Sequence, residues 1–501
     1  VRRSVPTRCY SPPVLLDHTA LSETLGVPVP ESVESVCAVT HDSRDVVPGG
    51  AFVAIPGFLA DGVDFVPQAM ERGAVLVVAE REVPGAPTVV VPDARVALAR
   101  LAVEVTGRPS EKLTVYGITG TNGKTTSSYV LHAILSAAHG TEHTGLMTTA
   151  EIVVGKDREV AVRTTGEAPV VQGNLARMVD AGVSHVVLET SSHGIHLHRV
   201  LGTRYAAALF TNLTRDHIDL HGTMEDYYLT KRRLFEWTDG PKLANIDDGY
   251  GRRIADEIPG TLTFGLAEGA DYRIVAERVE GGGTAFELHT PDGVLELRTP
   301  LLGDYNVHNV AGASAIALEM GMDRDTLVRA VEQMGQVPGR FERVPAAMEH
   351  GLEVVVDYAH TDIGLEAVLD VARDVAATRN AGSRVICVYG AAGDRDKAKR
   401  PLMGQVASRL ADVAIITTDD AYSEDPQAIA DEVATGADLS RTTIVLDRRK
   451  AIEQALGQAH AGDVVVVAGK GHERVQHLPT GDVDFHDATV VTEILGTRVS
   501  A

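Results

Sequence analysis

The sequence predicts an α/β protein in three parts, and three observations carry that prediction. Apolar runs of strand length alternate with stretches of helical spacing along the chain. The alternation breaks near Gly107-Arg108-Pro109 and again at Val337-Pro338-Gly339-Arg340. A length of 501 residues suits about three domains, each able to bury its own core. The expected domains are therefore 1–107, 108–338 and 339–501.

The first part reads as a small α/β lobe. After a loosely ordered tail, 1–13, rich in Arg, Ser and Pro, come His41-Asp42-Ser43-Arg44, the turn Pro48-Gly49-Gly50, apolar runs at 51–55 and 74–78, and a helical stretch at 94–105. In the second part, strands are expected at 113–116, 183–188 and 206–210, apolar throughout as parallel strands covered on both faces are. A helix at 127–138 follows from the spacing of Tyr129, Val130, Ala133, Ile134 and Leu135. Between 271 and 302 the period changes to two, and runs at 284–288 and 294–297 flank Pro291-Asp292-Gly293, which predicts an inserted hairpin before a helix at 309–320. In the third part, strands at 352–357, 385–389, 413–417, 443–446 and 463–468 alternate with helices, a Rossmann-like open sheet whose strand ends converge on one ligand site.

Composition excludes several classes of function. A formal charge of −23 opposes nonspecific nucleic-acid binding, so an anionic ligand needs local donors such as Lys124, Arg199 and Arg340. Cys9, Cys37 and Cys387 lie far apart with no metal spacing, which fits a reducing cytoplasm without disulfides. The longest apolar runs, such as 464–468, have strand length, and neither a leader nor a membrane span is expected.

The chemistry centres on residues 117–126, G-I-T-G-T-N-G-K-T-T, between a strand and a helix. Ile118 stands where the general P-loop pattern has its first glycine, but the tighter Gly120-Thr121-Asn122-Gly123-Lys124-Thr125-Thr126 remains. Small residues let backbone N–H groups approach a polyphosphate, Lys124 reaches its outer phosphates, and Thr125 offers a hydroxyl to Mg²⁺. ATP is the expected ligand, and the second part is a P-loop-type, mostly parallel sheet. Glu189 ends the next predicted strand, where a carboxylate either caps the following helix or holds Mg²⁺; its place after an apolar strand favours the metal. The loop 212–222 packs Asp216, His217, Asp219 and His221 after another strand, and His217 is the stronger candidate for an ion. The stretch 390–401 is either a solvated charged loop or a cationic grip on a carboxylate.

Taken in order, these motifs resemble the Mur ligase family, in particular the MurE type that adds the third residue of the peptidoglycan stem peptide. The resemblance rests on Asp42-Ser43-Arg44, the cradle, Thr164-Thr165-Gly166, Glu189 with Ser191-Ser192-His193-Gly194, 212–222 with Met224-Glu225-Asp226-Tyr227, and Asn306 with Asn309. Pro338-Gly339-Arg340, Asp357-Tyr358-Ala359-His360-Thr361, 393–401 and Gly469-Lys470-Gly471-His472-Glu473 complete it.

It implies a UDP-binding first domain, a central ATPase domain and a C-terminal amino-acid domain. In the implied reaction ATP phosphorylates the D-glutamate side-chain carboxylate of UDP-MurNAc-L-Ala-D-Glu, and an amino acid's amine attacks the acyl phosphate. By motif, Ser43, Thr164, Thr165, Ser191 and Arg199 hold the UDP-muramyl-dipeptide, and Asn306, Asn309 and Arg340 contact ATP. Lys124, Glu189, His217 and Lys231 are catalytic; Thr125, Glu189, His217 and Lys231, the last as N6-carboxylysine, serve Mg²⁺. Arg395, Asp419, Asp420, Tyr422, Gly469 and Glu473 face the amino acid. Diaminopimelate-adding enzymes of the family carry Asp-Asn-Pro-Arg where this chain has Asp419-Asp420-Ala421-Tyr422. Two acids and no arginine favour a distal ammonium, so lysine or another basic diamino acid is the expected acceptor. Diaminopimelate, or a Mur-like ligase of a specialised peptide pathway, is the alternative. A cytoplasmic monomer with no nucleic-acid partner is expected.

Overall fold

The computed structural model describes residues 14–57, 60–216, 218–280, 282–380 and 382–498. The expected tail 1–13, Cys9 and His217 lie outside the described residues. The chain forms two compact units, Val1–Thr299 with Asp304–Met334 and Pro300–Gly303 with Gly335–Ala501.

The first unit begins with a four-stranded parallel sheet in the order Val39–Thr40, Ala51–Ala54, Leu76–Ala79, Thr88–Val90. Every residue of Ala51–Ala54 and Leu76–Ala79 is buried, as strands covered on both faces require. Helix Ala94–Val105 starts at Asp93, whose side chain accepts from Val96 N, and packs Leu98, Leu101 and Val105 into the same core.

This unit also holds an eleven-stranded sheet. Its parallel centre runs Thr144–Met147, His185–Glu189, Thr114–Thr119, Ala207–Phe210, Lys242–Asn245, Thr261–Gly265. Thr114–Thr119 lies between His185–Glu189 and Ala207–Phe210, with later strands added on both sides. The loop leaving its carboxyl end therefore enters the switch-point crevice where doubly wound sheets bind ligands. The period-two segment is larger than a hairpin: Tyr272–Glu280 joins the main sheet parallel to Thr261–Gly265 and pairs antiparallel with Gly283–Thr290, which pairs antiparallel with Gly293–Thr299. At the other edge Glu151–Val154 and Asp157–Val160 form an unanticipated hairpin. Helix Asp304–Glu319 begins at Asp304 rather than at 309, because its first turn is polar and shows no apolar period.

The second unit carries a six-stranded sheet in the order Glu342–Arg343, Glu353–Asp357, Val464–Ala468, Val385–Tyr389, Val413–Ile416, Thr442–Ile444. All but the first strand are parallel. Val356 and Val388 both pair with Val467, so the segments leaving these three strands start side by side. A hairpin, Val475–Leu478 with Gly481–Asp484, was not anticipated. Among the described residues no helix is long and apolar enough to cross a membrane.

Candidate active site

The cradle is a loop held from both sides. Gly123 precedes helix Lys124–His139 with φ +82°, and Gly120 has φ +151°, conformations that favour glycine. Neither has room for a Cβ: at Gly120 it would meet Thr211 Oγ1, and at Gly123 Asn309 Oδ1. Asn122 N donates to Asn212 Oδ1 (2.9 Å), while Asn212 Nδ2 donates to Asn122 O (3.2 Å) and Thr121 N to Asn212 O (2.9 Å). The loop after Ala207–Phe210 thus clamps the cradle. Lys124 Nζ lies 2.7 Å from Thr121 O, over its own loop. Asn309 accepts from Ser127 Oγ (3.3 Å) and donates to Asn306 Oδ1 (3.1 Å), which brings both asparagines to the cradle. Thr126 is buried at the start of the helix.

Gly123→Ala is expected to raise KM for ATP by about ten- to a hundredfold, from a left-handed backbone and a forced shift of Asn309. Gly173→Ala, in open space on another helix, is the comparison expected to leave KM unchanged. Initial rates against ATP decide it; equal KM values for the two variants would refute the steric argument.

Glu189 is 1% exposed and accepts from Thr125 Oγ1 (3.0 Å) and Thr149 N (3.0 Å). It does not cap the following helix: Ser191 Oγ does, accepting from Gly194 N (3.1 Å). That leaves its carboxylate beside the first turn of the cradle helix. Lys231, on helix Met224–Glu236, is 1% exposed; its Nζ donates to Gly120 O (2.6 Å) and sits 4.7 Å from the centre of the Tyr227 ring. Burial, then the charge of Lys124, drives its pKa well below that of a free lysine, against the opposing pull of Asp216 and Glu189. Tyr227 OH is 3.2 Å from Thr121 Oγ1, and His221 stacks on the Tyr227 ring at 4.8 Å. Among the described residues no group of three or more His, Cys, Asp or Glu could hold a metal.

Thr164, Thr165, Ser191 and Arg199 form one linked patch: Thr149 Oγ1 lies 2.9 Å from Thr164 Oγ1, Ser191 Oγ donates to Thr165 Oγ1 (3.0 Å), and Arg199 Nη1 donates to Thr165 O (3.1 Å). Ser43 is buried in the four-stranded lobe and donates to Gln68 Oε1 (2.6 Å). The sequence reading gave no role to Thr149, Asn212 or Tyr227. Thr148-Thr149 directly follows a buried strand next to that of Glu189, which was a usable signal.

In the second unit Asp419, Asp420, Gly469 and Glu473 come together, and Asp420 is already paired with an ammonium of this chain. Lys470, fully buried, places Nζ 2.8 Å from Asp420 Oδ1 and 2.9 Å from Glu473 Oε2, and His477 N also donates to Asp420 Oδ1 (2.8 Å). Burial raises the pKa of Asp419 and of Glu473, in each case against the pull of Lys470. For Lys470 burial works the other way, and the acids Asp419, Glu473 and Asp420 outweigh it to raise its pKa. The chain supplies an ammonium itself, which weakens the electrostatic argument for a basic acceptor. Tyr422 stacks on His477 at 5.2 Å, with the Arg395 guanidinium 5.2 Å from its ring centre. Arg340 also belongs to this unit, 4.6 Å from the centre of the Tyr358 ring.

Comparison with known proteins agrees along the chain. Residues 35–105 match the Mur ligase family catalytic domain, 118–317 the Mur ligase middle domain, and 339–471 the Mur ligase glutamate ligase domain. The chain is 43% identical over 480 residues to UDP-N-acetylmuramoyl-L-alanyl-D-glutamate--2,6-diaminopimelate ligase of Geobacillus thermodenitrificans (strain NG80-2), covering 92% of this chain and 95% of that one. A solved structure of a ligase of the same description is 31% identical, with a TM-score of 0.67 over 96% of this chain and 99% of that one. The MurF ligase from Thermotoga maritima in complex with ADP, 20% identical, shares the fold with a TM-score of 0.62 over 92% of this chain and 98% of that one. A glycine cradle clamped at the sheet's switch point, a buried carboxylate and lysine beside it, and three successive family matches lead to one conclusion: the chain belongs to the Mur ligase family.

Proposed function

We propose that the protein joins 2,6-diaminopimelate to UDP-N-acetylmuramoyl-L-alanyl-D-glutamate, as an ATP-dependent, ADP-forming amide ligase of peptidoglycan synthesis. The observation that carries this reading is 43% identity over nearly the whole chain to a ligase named for that reaction, together with the Lys124, Thr125, Glu189 and Lys231 cluster. A carboxylate is a poor electrophile until one oxygen becomes part of a leaving group. Its attack on the γ-phosphorus releases ADP and gives an acyl phosphate; the acceptor's amine then attacks the carbonyl carbon, loses a proton and expels phosphate.

Each residue has a part in bringing anions together. The cradle N–H groups and Lys124 hold the phosphates of ATP; Asn306, Asn309 and Arg340 position the nucleotide. Thr164, Thr165, Ser191 and Arg199 orient the dipeptide, and Ser43 the uridine. Thr125, Glu189, His217 and a carboxylated Lys231 are the residues that would hold Mg²⁺, which offsets charge between the two reactants when bound. The same reading gives 1–107 to the UDP portion, 108–338 to ATP and 339–501 to the amino acid. A nucleotide-linked substrate and the free thiols Cys37 and Cys387 support a cytoplasmic setting.

For the acceptor, the relatives favour diaminopimelate, the alternative, over lysine. The pairing of Asp420 with Lys470 weakens the argument for a basic side chain, and Arg395 remains as a cation for a carboxylate. With ATP, Mg²⁺ and the UDP-muramyl-dipeptide, kcat/KM for diaminopimelate is expected to exceed that for lysine or ornithine by about a hundredfold or more. Product mass and phosphate release give the answer. Preference for lysine would show that Tyr422, in place of the family's arginine, sets the acceptor.

A further inference from the structure

Glu167 lies in a nest of three arginines. It precedes helix Ala168–Asp180, where Ser, Thr, Asp or Asn usually caps the first turn, yet its side chain makes no capping bond. It turns instead to Arg199 Nη2 (2.7 Å), Arg163 Nη1 (2.9 Å) and Arg95 Nη1 (3.6 Å). These guanidinia come from the helix of the four-stranded lobe, the segment before Thr164, and the turn after Ser192–His196. Three separate elements thus aim cations at one carboxylate.

The charges do not balance. Among these four residues three positive groups face one negative, in a chain of formal charge −23. Other acids nearby are engaged: Asp93 accepts from Val96 N (2.9 Å) and lies 3.9 Å from His198, and Asp42 is paired with Arg44. The Arg199 and Glu167 side chains are each only 12% exposed, and Arg199 Nε is buried with no hydrogen-bond partner among the described residues. Burial lowers the pKa of Arg199 against the pull of Glu167, with Arg163 and Arg95 adding to the effect. Arg163, 56% exposed, forms the open side. A surplus of partly buried guanidinium groups is a site for a bidentate anion.

We propose that Arg95, Arg163 and Arg199 form an anion subsite for the nucleotide substrate, and that Glu167 is its internal occupant, displaced when a phosphate or carboxylate of the substrate enters. This rests on the proposed UDP-muramyl-dipeptide substrate. Arg199 also donates to Thr165 O, so the nest is continuous with the Thr164-Thr165 patch. Glu167 acts as a built-in competitor that sets how tightly the substrate is held.

Calorimetric titration of the full chain without ATP tests this with three probes: UDP-MurNAc-L-Ala-D-Glu, the same compound with its free α-carboxylate amidated, and UDP. Glu167→Gln is expected to lower Kd by about tenfold, and Arg163→Gln to raise it by about tenfold. An effect shared by all three probes assigns the diphosphate; one confined to the free carboxylate assigns that group. Unchanged or weaker binding of every probe by Glu167→Gln overturns the proposal and leaves Glu167 a structural clasp. Should Glu167→Gln fail to fold, Arg163→Gln decides, an unchanged Kd being the contrary result. A wild-type protein that binds UDP in this pattern but ligates nothing to the dipeptide would reject the substrate reading and keep the nest.

Discussion

Lys124→Ala is expected to lower kcat by about 10²–10³-fold while the protein stays folded. Lys124 is the first residue of helix Lys124–His139 and is only partly buried, so truncation opens no core cavity. Alanine also suits a helix better than lysine does. What is lost is a point charge over the cradle. Its amine already rests 2.7 Å from Thr121 O, within the loop whose N–H groups would meet the phosphates. Charge accumulates between phosphate and carboxylate during transfer, so the loss falls on kcat rather than only on KM. A second effect reinforces it: Lys124 helps depress the pKa of Lys231, so its removal raises the proton affinity of that buried amine. ADP release and product mass, with thermal melting of both proteins, measure the outcome. Near-normal turnover would remove the cradle lysine from the mechanism.

The parts of this site that were legible in the sequence are those built from contiguous residues. Strand, turn and helix around 114–139 lie in one run, and apolar spacing on both sides of G-T-N-G-K-T-T fixes where the loop opens. Glu189 was legible because a buried strand ends on it. What the sequence hid is pairing between distant loops: Asn212 meets Asn122, Tyr227 meets Thr121, and Lys470 meets Asp420, each across many tens of residues. The last of these misdirected the acceptor argument, since Asp420 looks unpaired until the fold supplies its lysine. Short strands also escaped. In Lys242–Asn245 only Leu243 and Ala244 are apolar, too few to show a period, and neighbouring strands rather than local preference set their place.

Lys231→Ala is expected to cost at least about 10³-fold in kcat, through loss of an anion rather than of a cation. An amine takes up CO2 only when neutral: the nitrogen lone pair forms the N–C bond, one proton leaves, and a carbamate of charge −1 results. Burial and Lys124 supply the neutral amine by lowering its pKa well below that of an exposed lysine. The sign follows directly. Between the depressed folded pKa and the ordinary unfolded one, the unfolded chain binds the extra proton, so the stability of the unmodified protein rises with pH across that window. The neutral fraction, and with it carbamate, rises with pH through the folded pKa and levels off below the range where free lysine titrates. Nζ keeps one hydrogen in the carbamate, so its bond to Gly120 O can persist, and the added carboxylate would join Glu189 among the residues that hold Mg²⁺. In ¹³C-bicarbonate the wild type is expected to show a carbamate carbonyl resonance that Lys231→Ala lacks. Depleting CO2 should lower wild-type turnover, and a short carboxylate should restore part of the variant's activity. Full activity without CO2 and without that resonance would leave Lys231 a buried amine that braces the cradle through Gly120, and its removal would then register as lost stability instead of lost rescue by carboxylate.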